Sequence, residues 1–296
     1  QSGRFPTIAW QVLRRGLEHG PVIVQSQLRG YIQALSCSRC LNIALCACGG
    51  KLVASGSGRF PECFLCGNVH HNWSCTFCSN PELRNSQIGD ERIVEELGRA
   101  FPNQLIILSN AAHRVAQIAD QPAIVVATPG AEPFFERGYT AGVITNSQLT
   151  LQRATLNAEE ETRRRWFAFA SLLRPRAELF IDCDYGNRNI QTLVRWDGVG
   201  AGIRELFERV TLSLPPFTKA VEIRGIHEAV GQVIRELPGV VLVSAPRPTA
   251  NGETMALIRI ASHSTNVVLN EIFRRVRAQS ARGFHVPRVR IDPISF

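Results

Sequence analysis

Eight of the chain's nine cysteines fall in two short stretches, "CSRCLNIALCACGGKL" (37–52) and "CFLCGNVHHNWSCTFC" (63–78). The spacing runs C-x2-C-x5-C-x-C-x14-C-x2-C-x8-C-x2-C. A C-x2-C turn aims two sulfurs at one point. Two such pairs joined by loops of this length suit a tetrahedral zinc–thiolate site. Eight thiols predict two zinc ions, structural rather than catalytic, because four cysteine ligands leave no open position. Gly49 follows Cys48 and Gly67 follows Cys66; glycine there lets the backbone curl so that N–H groups approach the sulfurs. Loop lengths favour a nested pairing. Cys46, Cys48, Cys63 and Cys66 then form an inner site, and Cys37, Cys40, Cys75 and Cys78 an outer one. Sequential pairing would put Cys37, Cys40, Cys46 and Cys48 on one metal and is the tighter alternative. Disulfides are the rival chemistry. They need an oxidising compartment, and the opening "QSGRFPTIAW" reads as no secretory signal. An iron–sulfur cluster suits a single cysteine run better than separate pairs. With eight thiols present, His70 and His71 read as surface or DNA-contacting residues.

Other chemistry is sparse. A P-loop needs Gly, four residues, then Gly-Lys-Ser/Thr; around Lys51 the first glycine position holds Leu45 and Leu52 replaces the hydroxyl. In "GDER", Asp90 reads as a helix cap and Glu91 as a first-turn acid. Asp182 and Asp184 read as solvated strand-end carboxylates, and Cys183 as inert core. No Ser/His/Asp or Cys/His set assembles.

The chain has 296 residues, 45% of them hydrophobic, which is enough for two or three domains. No run of 18 apolar residues predicts a membrane span. Net charge is +8, and of 33 basic residues only Lys51 and Lys219 are lysines. Arginine pairs with phosphate and stacks on bases, so the charge points to an anionic partner such as nucleic acid. An arginine-biased genome is the alternative. The start at Gln1 reads as a fragment of something longer.

The elements that must carry these residues follow from periodicity. "IAWQVLRRGLEH" (8–19) predicts a helix ended by Gly20 and Pro21. "PVIVQ" (21–25), "QLIILS" (104–109), "PAIVVATPG" (122–130) and "AGVITN" (141–146) read as strands, and "GDERIVEELGRAF" as a helix. "NAEEETRRRWFAFASLLRPRA" (157–177) reads as one long helix, acids first and arginines later, as its dipole favours. "LFIDC" (179–183) and "IQTLVRW" (190–196) follow. Helices alternating with strands predict a parallel α/β sheet. After "LSLPPFT" (212–218) the order becomes β-α-β-β-α-β, that of a ferredoxin-like module.

Together, "RGY" (29–31) before the cysteines, "GDERIVEEL" after them, "LSLPPFT" and the closing "VRIDP" resemble the C-terminal half of the PriA family of bacterial replication-restart helicases. The resemblance covers the chain from about residue 8. It implies a RecA-like second helicase lobe (1–36 and 79–200), an inserted two-zinc module (37–78), a linker (201–216) and a ferredoxin-like C-terminal domain (217–296). It also implies nested zincs and recognition of forked or single-stranded DNA at stalled forks. Primosome proteins and the single-strand binding protein would be partners, in a cytoplasmic, nucleoid-associated monomer. Candidate DNA contacts are Arg274, Arg275, Arg277, Arg282, Arg288 and Arg290, with Trp73 and His71 of the module. The sequence departs from the family where nucleotide motifs should stand. "ATPGAEP" (127–133) replaces a Gly-Thr-Gln motif, and "SLLRPRAE" (171–178) replaces a Gly-Arg-Ala-Gly-Arg run, keeping only Arg174 and Arg176 nearby. Actinobacterial members share this degeneracy, which implies a helicase-like protein without helicase activity. ATP would enter only through an intact first lobe in a longer protein; an active 3'-to-5' helicase fragment and a zinc-bearing protein scaffold are the alternatives. Cys46-Ala-Cys48 is one residue shorter than the usual pair, which leaves the inner zinc less secure.

Overall fold

The computed structural model describes residues 6–26, 35–40, 42–47, 51–54, 60–63, 68–85, 90–145, 147–151, 155–237, 239–248 and 252–293. The chain divides into two compact units, residues 1–154 with 158–197, and 155–157 with 198–296. "RGY" (29–31), Cys48, Gly49, Cys66, Gly67 and Gly89 lie outside the described residues.

The first unit is a mixed α/β layer structure. Helix α1 (Thr7–Leu17) leads into strand β1 (Val22–Gln25). The cysteine-bearing stretch follows, with the short strands β2 (Leu35–Cys37), β3 (Leu52–Ala54), β4 (Pro61–Cys63) and β5 (Leu83–Asn85). Then come α2 (Asp90–Ala100), β6 (Leu105–Ser109), β7 (Ala123–Ala127), β8 (Tyr139–Ile144), α3 (Ser147–Leu151), α4 (Ala158–Ala170), β9 (Leu173–Ile181) and α5 (Arg188–Val194). Strands β6-β7-β1-β8-β9 form one sheet, every pair parallel. The β-branched runs explain this. Val22, Val24, Ile124 and Val126 face α1 and α2, whereas Ile23, Val125 and Ile144 face Trp166, Phe169 and Leu193. A strand buried on both faces needs an unbroken apolar run, and only a parallel sheet sandwiched by helices supplies both covers.

Gly16 shows how closely α1 lies on the sheet. A methyl group there would come within 2.6 Å of both the Ala141 Cβ and the Val22 Cγ1. Gly16→Ala is therefore expected to destabilise this unit by about 1–3 kcal/mol through overpacking; an unchanged denaturation midpoint would contradict this packing.

One reading needs correction. The helix expected over 157–177 ends at Ala170, and residues from Leu173 are strand β9. The reason is Pro175, whose ring disfavours a helical conformation for the residue before it. Between Leu173 and Glu178 the strand bulges: Tyr139 pairs with Leu173, yet Ala141 already pairs with Glu178. Arg176 in that bulge takes a left-handed φ of 67°. "IQTLVRW", left untyped by its sequence, lies mostly in α5, capped by the Asn187 side chain, which accepts from the Asn189 N–H at 2.9 Å.

The second unit opens with α6 (Gly198–Thr211), so residues 201–211 of the stretch read as a linker are helical. Then follow β10 (Thr218–Gly225), α7 (His227–Ile234), β11 (Val240–Pro248), β12 (Thr254–Ala261), α8 (Thr265–Ala281) and β13 (Arg288–Ile291). The sheet order is β11-β12-β10-β13, all neighbours antiparallel. Val221, Ile223, Ala256, Ile258 and Ile260 pack on Val230, Val233, Val268 and Ile272 of α7 and α8. Alternation along β10 and β12 leaves every second residue for the other face. Among the described residues no helix is long and apolar enough to cross a membrane.

Candidate metal centre

The cysteine-bearing stretch is built from paired ribbons. Strand β2 pairs with β5, and β3 with β4, each antiparallel. Among the described residues its apolar core is small: Leu35, Ala44, Cys46, Leu52 and Cys63, with Trp73 and Leu83 against them. So few side chains cannot hold a segment of this size, and small folds of this kind depend on cross-links.

The first and last C-x2-C pairs come together. Cys37 ends β2 and Cys40 follows it, and the β2–β5 pairing brings the segment before β5 alongside them, carrying Cys75 and Cys78. The four sulfurs lie within 4.8 Å of one another. Cys37 and Cys78 are 3.5 Å apart, and Cys40 and Cys75 3.4 Å. A disulfide holds its sulfurs about 2.05 Å apart, so these are free thiols. A tetrahedral zinc–thiolate site with bonds of about 2.3 Å has its sulfurs about 3.8 Å apart. The cluster fits that size, and could hold a metal ion. Cys46 and Cys63 are buried in the module core; their expected partners Cys48 and Cys66 lie outside the described residues.

The electrostatics favour anionic sulfur. Burial pushes the Cys37 thiol up, but the N–H groups of Cys40 and Arg39, helped by Cys78 and Asn80, outweigh it and bring it down to about 6. The Asn42 N–H lowers Cys40. Cys78 accepts from the Asn80 N–H, which favours its thiolate, yet burial and the three neighbouring sulfurs push it up to about 12. Hydrogen-bond donation thus favours thiolate in the first pair, and a cation binding to thiols displaces their protons.

The backbone around the sulfurs repeats. The N–H of Cys37 donates to the Asn42 carbonyl at 2.9 Å, that of Cys63 to Asn68 at 2.8 Å and that of Cys75 to Asn80 at 3.0 Å. All three segments read C-x2-C-x-N. The residue after the second cysteine is Ser79 in the last of them, with a left-handed φ of 56°; Gly67 holds the same place in the middle one. Sequence reasoning missed these asparagines, although their constant place five residues after the first cysteine was a usable signal. At the fourth pair Lys51 stands there instead.

The expected DNA contacts separate into groups. Arg275 donates to the Val233 carbonyl at 3.2 Å and also to that of Arg235, tying α8 to the end of α7, and pairs with Glu271 at 2.7 Å. These bonds give it a structural role within the second unit. Arg274 makes two bonds of 2.7 Å to Glu271, and Arg288 pairs with Glu253 at 2.6 Å. Arg277, Arg282 and Arg290 are exposed and, among the described residues, make no ion pair. Trp73 packs on the module core, whereas His71 is exposed and meets Phe60 edge-on at 4.5 Å. Trp73 and His71 belong to the first unit and the six arginines to the second.

At the carboxyl ends of the parallel strands, "ATPGAEP" makes a closed turn. Glu132 accepts from the Gln25 side-chain amide at 2.6 Å and from the Gly130 N–H at 2.8 Å. Ser109 Oγ donates to the Ala131 carbonyl at 2.6 Å. Arg174 and Arg176 sit at the start of β9, away from this edge.

No protein-family model matches the chain. Three curated proteins, each named probable replication restart protein PriA, are similar to it. The Mycobacterium tuberculosis and Mycobacterium bovis proteins are 40% identical over 222 residues, 73% of this chain and 34% of the relative. That of Mycobacterium leprae is 31% identical over an alignment of 315 residues, 99% of this chain and 48% of the relative. The chain spans between a third and a half of the length of these relatives.

Proposed function

Because the chain is PriA-like, with relatives of that name covering most of it at 31–40% identity, we propose that it serves replication restart as a DNA-binding platform, and is not a motor in its own right. The reading assigns residues 1–36 and 79–200 to a RecA-like second lobe. It makes 37–78 a two-zinc module and 217–296 a ferredoxin-like domain, joined by 201–216. The observation that carries it is the four-sulfur cluster in a stretch inserted between β1 and α2 of a parallel sheet. Zinc is the metal this donor set selects: four thiolates at tetrahedral spacing, with no place for a substrate. When bound it supplies cross-linking and no chemistry. The chain's own residues do the remaining work. The nested Cys46, Cys48, Cys63 and Cys66 hold the second ion, and exposed arginines meet DNA phosphates.

Two features support the absence of ATP turnover. A phosphate site needs unpaired N–H groups and no competing anion. Here Glu132 already takes the Gly130 N–H and sets a carboxylate at the strand ends. The only arginines near the expected run, Arg174 and Arg176, stand at the start of β9 instead. ATP would then act only through a further lobe, as the relatives' greater length allows. Forks, primosomal proteins and single-strand binding protein are the partners this reading expects.

The test is titration of forked DNA at two salt concentrations, with ATP hydrolysis followed in the same samples. Binding that weakens steeply with salt, without turnover, is expected. Fork-stimulated hydrolysis would overturn the motor half of the proposal. Failure to bind at either salt would leave a protein-interaction scaffold.

A further inference from the structure

We infer that Asn80 and Asn42 are positioning residues of the four-sulfur centre, whose side-chain amides donate to its sulfurs and set how tightly the metal is held. The inference rests on the metal reading above and extends it to residues that are not ligands.

Asn42 donates from Nδ2 to the Cys40 sulfur at 3.4 Å. Asn80 donates across the centre: its Nδ2 lies 3.6 Å from the Cys37 sulfur, 2.8 Å from Ser38 Oγ and 3.2 Å from the Glu82 carbonyl. Both sulfurs of the first pair, Cys40 and Cys37, thus accept from an amide. Asn80, which belongs to the second pair, reaches the first. Ser38 completes the link, donating from its backbone to the Glu82 carbonyl at 3.0 Å and from its hydroxyl to the Glu82 carboxylate at 3.2 Å. A single amide therefore orients a ligand and ties the two knuckles together beside the β2–β5 ribbon.

The chemistry follows from what an amide offers a thiolate. Donation spreads the sulfur's negative charge and favours the deprotonated ligand without adding charge to the site. Four thiolates around one dication carry excess negative charge, so neutral donors suit it better than none. Aspartate has nearly the same shape but only accepts, and it brings a fifth anion. Asn80→Asp therefore separates donation from mere occupation of the turn. The backbone carbonyl that closes the Cys75 turn is unchanged by it.

The experiment uses the full chain. Zinc affinity is read by competition with a chromophoric chelator, and Co2+ serves as the spectroscopic stand-in, whose sulfur-to-metal charge-transfer band reports donation to sulfur directly. Asn80→Asp is expected to weaken zinc binding about 10- to 100-fold and to shift the cobalt band. Asn42→Asp, exposed and outside the cross-link, is expected to shift it too. Ser38→Ala removes a partner of Asn80 but no sulfur contact, and leaves the band in place. Uptake by the parent chain with affinity and band unchanged in both aspartate variants would sink this inference alone. No uptake by the parent chain would sink the metal reading with it.

Discussion

On the two-zinc reading proposed above, Cys75→Ser is expected to lose one of two zinc equivalents and to unfold the stretch from about residue 35 to 85, while the parallel sheet stays folded. Cys75 is buried, 3.4 Å from the Cys40 sulfur. A serine oxygen is a poor, protonated ligand for a borderline-soft cation, and it leaves three thiolates to share the load. The energy at stake is large. Structural zinc contributes about 10–16 kcal/mol of apparent binding energy in small zinc-finger peptides, and there binding energy is folding energy. Among the described residues, the module's buried cluster of Leu35, Ala44, Cys46, Leu52 and Cys63 is too small to replace that. The sheet rests on different clusters, made from α1, α2, α4 and α5, so the loss stays local. Metal content after dialysis and limited proteolysis read the two effects. Cys183→Ser, just beyond β9 and outside the cluster, is the control and keeps both metals. A Cys75→Ser chain with its full zinc complement and a protease-resistant module would remove the basis of the functional reading.

What the sequence makes legible here follows from the range of the interactions. Val22–Val24 and Ile124–Val126 are fully apolar β-branched runs, so a doubly covered parallel strand is readable from a few neighbours. The order β-α-β-β-α-β is likewise local periodicity. The four-sulfur cluster was readable because C-x2-C geometry is local and the β2–β5 ribbon closes the long loop at its base. What failed needed knowledge of partners. A helical pattern continued smoothly into "SLLRPRA", and only the weight given to Pro175 would have stopped it at Ala170. Arg275 looked like its neighbours on the α8 face until the end of α7 supplied carbonyls for it. The asparagines after each C-x2-C were visible as a repeat, but they look like ordinary turn residues until the distances to sulfur are known.

The separation of the arginines into paired and unpaired sets gives the second large effect. If DNA phosphates are met by Arg277, Arg282 and Arg290, the triple glutamate variant should lose most forked-DNA affinity. Its salt dependence should flatten, because each phosphate contact contributes about 0.9 to the slope of log K against log salt. Removing three contacts should lower that slope by about 2.7. Charge reversal adds repulsion, so the loss at low salt should exceed 100-fold, an order-of-magnitude figure that assumes about 1 kcal/mol or more per contact. Arg275→Ala makes the opposite prediction. Its guanidinium bridges Glu271 on α8 and the carbonyl of Val233 on α7, so it should lower the unfolding midpoint of the second unit and leave the salt slope alone. Arg274 and Arg288 should lie between, since a bidentate carboxylate must first be given up before phosphate is bound. The discriminating quantity is the slope, because affinity alone falls whenever the unit is destabilised. A triple variant that binds with the parent's slope would move the DNA surface off α8 and β13.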